Sequence, residues 1–222
     1  MSTLRFIVDN FNEVLYLSWE HVWIVGIALL IATPIGVVLG IVITKHEQFA
    51  SRVLNGANIL MTVPSIALFG LMLPVLSIVN MGLGKVPAVI ALVLYSQLPI
   101  IRNTYTAIKN VPPSLVDAGR GMGMGKWKLL RELEIPLATP VIIAGLRTAA
   151  VMNIGIAAIA TYIGAGGLGV YIQQGIARVY PEMIMSGAIL VSLLAIIVDG
   201  GMALLERLAT PEGIKVQRKL SR

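Results

Sequence analysis

Little in this chain of 222 residues is equipped for covalent chemistry. It contains no cysteine, which excludes thiolate nucleophiles, thiolate metal sites and disulfides. Its two histidines, His21 and His46, flank opposite ends of one apolar run, so no metal cluster is expected. Gly164-Ala-Gly166-Gly167-Leu-Gly169 spells G-x-G-x-x-G. A dinucleotide fingerprint needs a preceding strand and a following helix on a parallel sheet. Here the glycines follow a long apolar run, and a tight re-entrant or gate turn is the better reading of Gly164, Gly166, Gly167 and Gly169. No G-x-x-x-x-G-K-[ST] phosphate loop, catalytic triad or pair of catalytic carboxylates occurs. The chain is therefore expected to bind no cofactor or metal and not to be an enzyme by itself. Two ionisable residues, Arg147 and Asp199, lie inside apolar runs, where charge is costly unless it pairs or lines water. They are expected to meet on facing helices, with independent snorkelling to the interface as the alternative. Tyr95, Gln97 and Asn153 are candidates for a pathway wall, and equally for hydrogen bonds between helices.

The scaffold that positions these groups must sit in a membrane. Hydrophobic residues make up 57% of the chain and charged residues 13%, about half the charged share of an average soluble domain. Five stretches approach the roughly 20 apolar residues that a spanning helix needs. They lie at about 22–44, 57–79, 87–105, 140–163 and 184–205, and none alternates with period two. The expected fold is an all-α membrane protein of five transmembrane helices. Pro34, Pro64 and Pro74 are expected to kink their spans. Ala28, Ala32, Gly36 and Gly40 recur every four residues, a small-residue stripe suited to close helix packing.

Lys and Arg set the orientation. Thirteen of the 17 fall in the 45–52 loop, at Arg102, in the 106–139 connection or in the C-terminal region, against Arg5, Lys85 and Arg178 on the other side. This places the N-terminus outside and the C-terminus in the cytoplasm. It also assigns the net charge of +6 to membrane topology rather than to nucleic-acid binding. Residues 1–21 do not fit a cleaved signal: Asp9, Glu13 and Glu20 precede an apolar run that is too long. Over 3–19 the apolar residues recur at helical spacing, consistent with an external interfacial helix or with a frayed terminus, and Trp19 and Trp23 are expected at headgroup depth. The organisation is thus an external segment 1–21, a membrane domain 22–205 and a basic tail 206–222.

The longest polar stretch, 106–139, joins spans three and four. Pro112-Pro113 ends the incoming helix, and Ser114 with Asp117 fits a capping box. Gly123 and Gly125 permit a turn, Lys126–Leu133 reads as a second short helix, and Pro136 and Pro140 are expected to stop it before span four. The result is a helix–turn–helix projecting Met122, Met124, Trp127, Leu129 and Leu130 among basic residues. Such an apolar knob with a charged rim suits either a partner's groove or the lipid surface.

Asp117-Ala118-Gly119, three residues, Gly123, nine residues, then Leu133-Glu134-Ile135-Pro136 resembles the EAA loop of ABC-importer permeases. Asp117 stands where the family has glutamate and Gly119 where it has a second alanine, a change expected to loosen the first short helix. Residues 62–70, 98–105, 118–124 and 163–169 are similar to the osmoprotectant permeases, which serve glycine betaine, choline and carnitine. The resemblance implies a type I ABC importer (MetI-like) permease fold. Its implied partners are a cytoplasmic ABC ATPase dimer that uses ATP and Mg, a second permease subunit (same or related chain), an external binding protein and the lipid bilayer. It also implies that Ser114, Asp117, Ala118, Gly119, Met122, Gly123, Met124, Trp127, Leu130, Leu133 and Pro136 form the loop that couples to the ATPase. With 13 aromatic residues, several near the interfaces, no cation–π cage is legible, so selectivity is expected to reside in the binding protein. The competing readings are a permease for another solute, such as an amino acid, and an ATPase-independent channel or ion-coupled transporter. The latter predicts ion-coordinating groups near the bilayer midplane.

Overall fold

The computed structural model describes residues 2–210, and every regular element among them is helical. Helices pair all their backbone amides and carbonyls internally, the condition for crossing a medium without water. Four helices are long and apolar enough to span, and a bent pair makes a fifth candidate crossing.

The chain opens with α1 (Thr3–Asp9), whose first turn is capped by Ser2 accepting the Arg5 amide at 3.4 Å. It breaks at Asn10, and α2 (Phe11–Ile43) runs 33 residues without interruption. The single amphipathic helix expected over 3–19 is thus two elements, and its second half is continuous with the helix of the first candidate span. Nor is α1 free in the interface. Phe6 is buried, edge-on to Tyr171 and Tyr180 at 5.5 and 5.7 Å, in the neighbourhood of α9 (Gly169–Ala177) and α10 (Pro181–Ala209).

The fifth candidate crossing is the pair α3 (Glu47–Thr62) and α4 (Ser65–Ser77), bent by 98°. Proline 64 drives the preceding Val63 into extended geometry (φ −68°, ψ 125°), a sharper interruption than the kink expected. The Tyr95 hydroxyl donates to the Val63 carbonyl at 2.5 Å, satisfying a group that the break leaves without a helical partner.

The centre of the bundle is α5 (Lys85–Lys109), packed between α2 and α8 (Ile135–Ile159). The small-residue stripe of α2 faces this contact. Ala28 and Ala32 are fully buried, and a Cβ on Gly36 or Gly40 would lie 2.6 Å from Ile100 Cγ2 or 2.5 Å from Thr104 Cβ.

After α5 come α6 (Pro113–Gly121), α7 (Lys126–Leu129) and one π-helical turn (Leu130–Glu134) that leads directly into α8. Pro136 and Pro140 therefore do not stop a short helix; the helical path continues from Lys126 to Ile163. Proline at 136 cannot donate to the carbonyl four residues back, and the widened turn just before it accommodates that loss. A 3-10 turn (Ala160–Ile163) and the glycine turn then lead to α9 and α10. Since α10 reaches Ala209, the expected basic tail begins inside a helix, and residues 211–222 lie outside the described residues.

Candidate functional site

The hairpin of α6 and α7 is built on proline and glycine. Pro113 opens α6, because its fixed φ suits a first helical turn and its missing amide needs no cap. Ser114 consequently lies inside that turn and makes no capping hydrogen bond, so the expected capping box is not formed. Asp117 instead faces Arg120 at 3.6 Å, both well exposed. The helix ends in a Schellman arrangement: Gly123 at φ +80° donates to the Arg120 carbonyl at 2.9 Å, and Met124 to that of Gly119 at 3.0 Å. Gly119 is buried, and a Cβ there would lie 2.7 Å from Leu129 Cδ1 and 3.2 Å from Met124 Sδ. Its role is to let α6 and α7 touch, not to loosen the helix.

The knob is narrower than the sequence suggested. Met122 and Trp127 are 77% and 79% exposed, whereas Leu129 and Leu130 are buried. Leu130 joins Ala107, Ile108, Ala138 and Ile142 in a cluster that fastens the hairpin to α5 and α8. Ala118 and Pro136 are exposed, and Met124 and Leu133 are half-buried. Beside the knob a cleft of about 640 Å3 is bordered by Lys45, Lys109, Asp117, Arg120, Lys126 and Glu134.

Within the spans, Arg147 and Asp199 meet. The guanidinium donates through Nε and Nη2 to the two carboxylate oxygens at 2.5 and 2.6 Å, a bidentate pair. Glu206, which sequence reasoning missed, stands 3.7 Å from Nη1, two turns beyond Asp199 on α10. Arg147 and Asp199 remain 35% and 40% exposed and border a cleft of about 490 Å3. Tyr95, Gln97 and Asn153, by contrast, are buried inside the bundle. Gln97 donates to the Val93 carbonyl at 3.0 Å, and Asn153 donates to Ser96 Oγ at 2.8 Å, tying α8 to α5. These three make contacts between and within helices.

At the opposite end the glycine turn is held by residues the sequence did not single out as its partners. Gly164, Gly166 and Gly167 all have φ near +80°, and a Cβ on Gly169 would collide with the backbone carbonyl of Ala158. Glu20 accepts from the Gly167 amide at 3.3 Å and pairs with Lys85 at 2.6 Å. Lys85 Nζ also lies 5.6 Å from the Trp23 ring centroid. His21 is fully buried: Nδ1 accepts from the Leu168 amide at 3.2 Å, and Nε2 lies 3.0 Å from the Ile154 carbonyl. The one available hint was a histidine and a carboxylate adjacent at the mouth of an apolar run. Nearby on α9, burial, reinforced by the Glu13 carboxylate, pushes the Tyr171 phenol above its ordinary range.

The described residues thus form a helical bundle with one sharply bent helix pair and an amphipathic hairpin continuous with the next long apolar helix. The chain matches the family described as "Binding-protein-dependent transport system inner membrane component" over residues 32–210. It belongs to that family and is a multi-pass permease subunit of an ABC importer. It is 48% identical to the osmoprotectant import permease protein OsmW of Salmonella typhimurium (strain LT2), over 97% of this chain and 100% of that one. It is 43% identical to the glycine betaine/carnitine/choline transport system permease protein OpuCB of Bacillus subtilis (strain 168), over 98% of each. In fold it is similar to the inward-facing MetNI methionine ABC transporter (TM-score 0.79, 22% identity, 89% of this chain and 96% of that one). It is also similar to an amino acid ABC transporter with histidines (TM-score 0.77, 18% identity, 93% and 98%).

Proposed function

We propose that this chain is the membrane subunit of an ATP-driven importer for quaternary-amine osmoprotectants of the glycine betaine, choline or carnitine type. The observation that carries the substrate class is the 48% and 43% identity, over nearly the whole chain, to permeases named for those solutes. ATP and Mg are used by a cytoplasmic ATPase dimer, an external binding protein delivers the solute and supplies most of the selectivity, and a second permease subunit completes the pathway. The basic end, with the α6–α7 hairpin, faces the cytoplasm.

Coupling follows from how the hairpin is attached. Met122 and one face of Trp127 enter grooves of the ATPase, while Leu129 packs on Gly119 inside the hairpin and Leu130 anchors it to the bundle. The helical path from Lys126 to Ile163 carries a displacement of the knob, without a loop to absorb it, past Arg147 to the glycine turn. That turn is bonded to α2 through Glu20 and His21, so closing of the ATPases is passed to the outer end of the subunit.

The test is uptake by cells lacking other osmoprotectant importers, supplied with this permease, its ATPase and its binding protein. ATP-dependent uptake of betaine, choline or carnitine is expected, together with loss of uptake and of ATPase association when residues 114–133 are replaced. Uptake of an amino acid and of none of the three amines would overturn the substrate class. Uptake that persists after replacement of the hairpin would overturn the coupling role.

A further inference from the structure

On α2, Ile31, Ile35, Val38 and Val42 are all exposed and recur at intervals of four, three and four residues, one continuous face of the helix. Exposed Lys45 follows three residues on, just past the helix end. From Ile31 to Val42 this stripe is roughly 16 Å long at 1.5 Å per residue. That is about half of a ~30 Å hydrocarbon core, the depth that one acyl chain occupies. At its basic end the stripe runs into a groove of about 310 Å3, where Val38, Val42 and Ile135 form apolar walls and Lys45, His46 and Trp127 the rim. Trp127 also borders an adjoining cleft with Lys128, Arg131 and Glu132. Of the carboxylates near this rim, Glu47 is 3.4 Å from Lys109, Asp117 is 3.6 Å from Arg120, and Glu134 borders the neighbouring cleft with Lys45. Glu132 is 4.0 Å from Lys128, and among the described residues Lys45 and Arg131 have no ion-pair partner.

We infer that this groove holds one anionic phospholipid of the leaflet at the hairpin end. Its acyl chain lies along the α2 stripe and its phosphate sits between Lys45 and the indole N–H of Trp127. Three features favour a lipid over a soluble ligand. The apolar walls continue into a face that has lipid as its natural solvent. The rim is cationic, as an anionic headgroup requires. A tryptophan, apolar in body and polar at one edge, stands at the boundary, where that residue type is favoured. The lipid fills the space between α2 and one flank of Trp127, and so supports the knob from the membrane side. Its presence does not depend on which solute is transported.

The experiment uses the assembled transporter in lipid nanodiscs, with Trp19→Phe and Trp23→Phe in the permease so that Trp127 alone of its tryptophans reports. The signal is taken as the difference from a chain that also carries Trp127→Phe. Phosphatidylglycerol and phosphatidylcholine with identical brominated acyl chains serve as quenchers. Brominated phosphatidylglycerol is expected to quench Trp127 at about fivefold lower mole fraction, the factor one lysine contributes at an anionic surface. Lys45→Gln should erase that preference and Lys45→Arg keep it, while excess inorganic phosphate leaves it unchanged. Equal quenching by the two lipids, or a preference that survives Lys45→Gln, would overturn the inference. Competition by inorganic phosphate would assign a soluble-anion site instead. Shielding of Trp127 from both lipids would assign the groove to the ATPase.

Discussion

His21 carries two hydrogen bonds of opposite sense, and together they determine its chemistry. The Leu168 amide can only donate, so Nδ1 must hold a lone pair; the Ile154 carbonyl can only accept, so Nε2 must hold the proton. The imidazole is therefore neutral, and neither nitrogen is left for a metal. His21→Leu leaves the Leu168 amide buried without an acceptor, at a cost of about 1–3 kcal/mol. A lower unfolding midpoint in detergent is expected, with partial recovery in His21→Asn, whose amide oxygen takes the place of Nδ1; an unchanged midpoint for His21→Leu would mean that this hydrogen bond does not hold the glycine turn. The glycines separate by what a methyl group would strike. At Gly119 the obstacles are the ends of Leu129 and Met124, which can move, so Gly119→Ala should cost less than the roughly 1–3 kcal/mol of an overpacked core. At Gly169 the obstacle is the Ala158 backbone, which cannot, and Gly169→Ala should lower the unfolding midpoint far more. Parallel thermal melts of the two variants check the order.

Among the elements, the α6–α7 hairpin divides its apolar residues between two tasks. Leu130 holds it to the bundle and Leu129 packs α7 on α6 at Gly119, while Met122 and Trp127 project from it. Truncating an exposed side chain changes stability by about 0.5 kcal/mol or less, but truncating a tryptophan anchor in an interface removes about 2 kcal/mol or more of binding, a loss of roughly thirtyfold. Trp127→Ala is thus expected to insert and melt like the parent yet to release the ATPase on co-purification; equal losses of stability and association would mean that Trp127 serves the fold alone. The existence and position of this hairpin were legible in the spacing from Asp117 to Pro136. Its internal division was not, because amphipathic spacing in a short helix shows that an apolar face exists without showing which neighbours cover it. Two prolines misled in opposite senses. Local rules make Pro136 a stop, but a single π-helical turn absorbs the missing hydrogen bond and the helix continues. At Pro64 the local rule fell short, since Tyr95, 32 residues away in sequence, supplies a partner to the Val63 carbonyl and makes a full bend tolerable.

At the scale of the whole molecule, the approximate place of the four long apolar helices could be read from the length of the apolar runs, because bilayer thickness imposes that length directly; the remaining run is a bent pair that length alone did not foresee. The polar contacts that join the crossings are set by packing, which leaves no local mark: Glu206 beside Arg147, or His21 under a turn 147 residues away, has no sequence signature. Packing also decides where the Arg147–Asp199–Glu206 group faces. The pair is more than one-third exposed on a single subunit, at a cleft bordered by Thr148, Val151 and Met152. Charges on a spanning helix are costly against lipid tails and collect where protein or water meets them. This face of α8 and α10 should accordingly line the aqueous pathway between two permease subunits, whereas the Ile31–Val42 face of α2 should meet lipid. The chain lacks cysteine, so single cysteines can be placed without background. In the assembled transporter in vesicles, Thr148→Cys is expected to react with a hydrophilic maleimide supplied to both sides, and Ile35→Cys, exposed to a similar degree as Asp199, to stay unlabelled. The contrast should be sharp, because thiolate, the reactive form, needs water to exist. If Thr148→Cys proved as inert as Ile35→Cys, the charged face would not be open to the pathway, and Arg147 and Asp199 would be a structural clasp between α8 and α10.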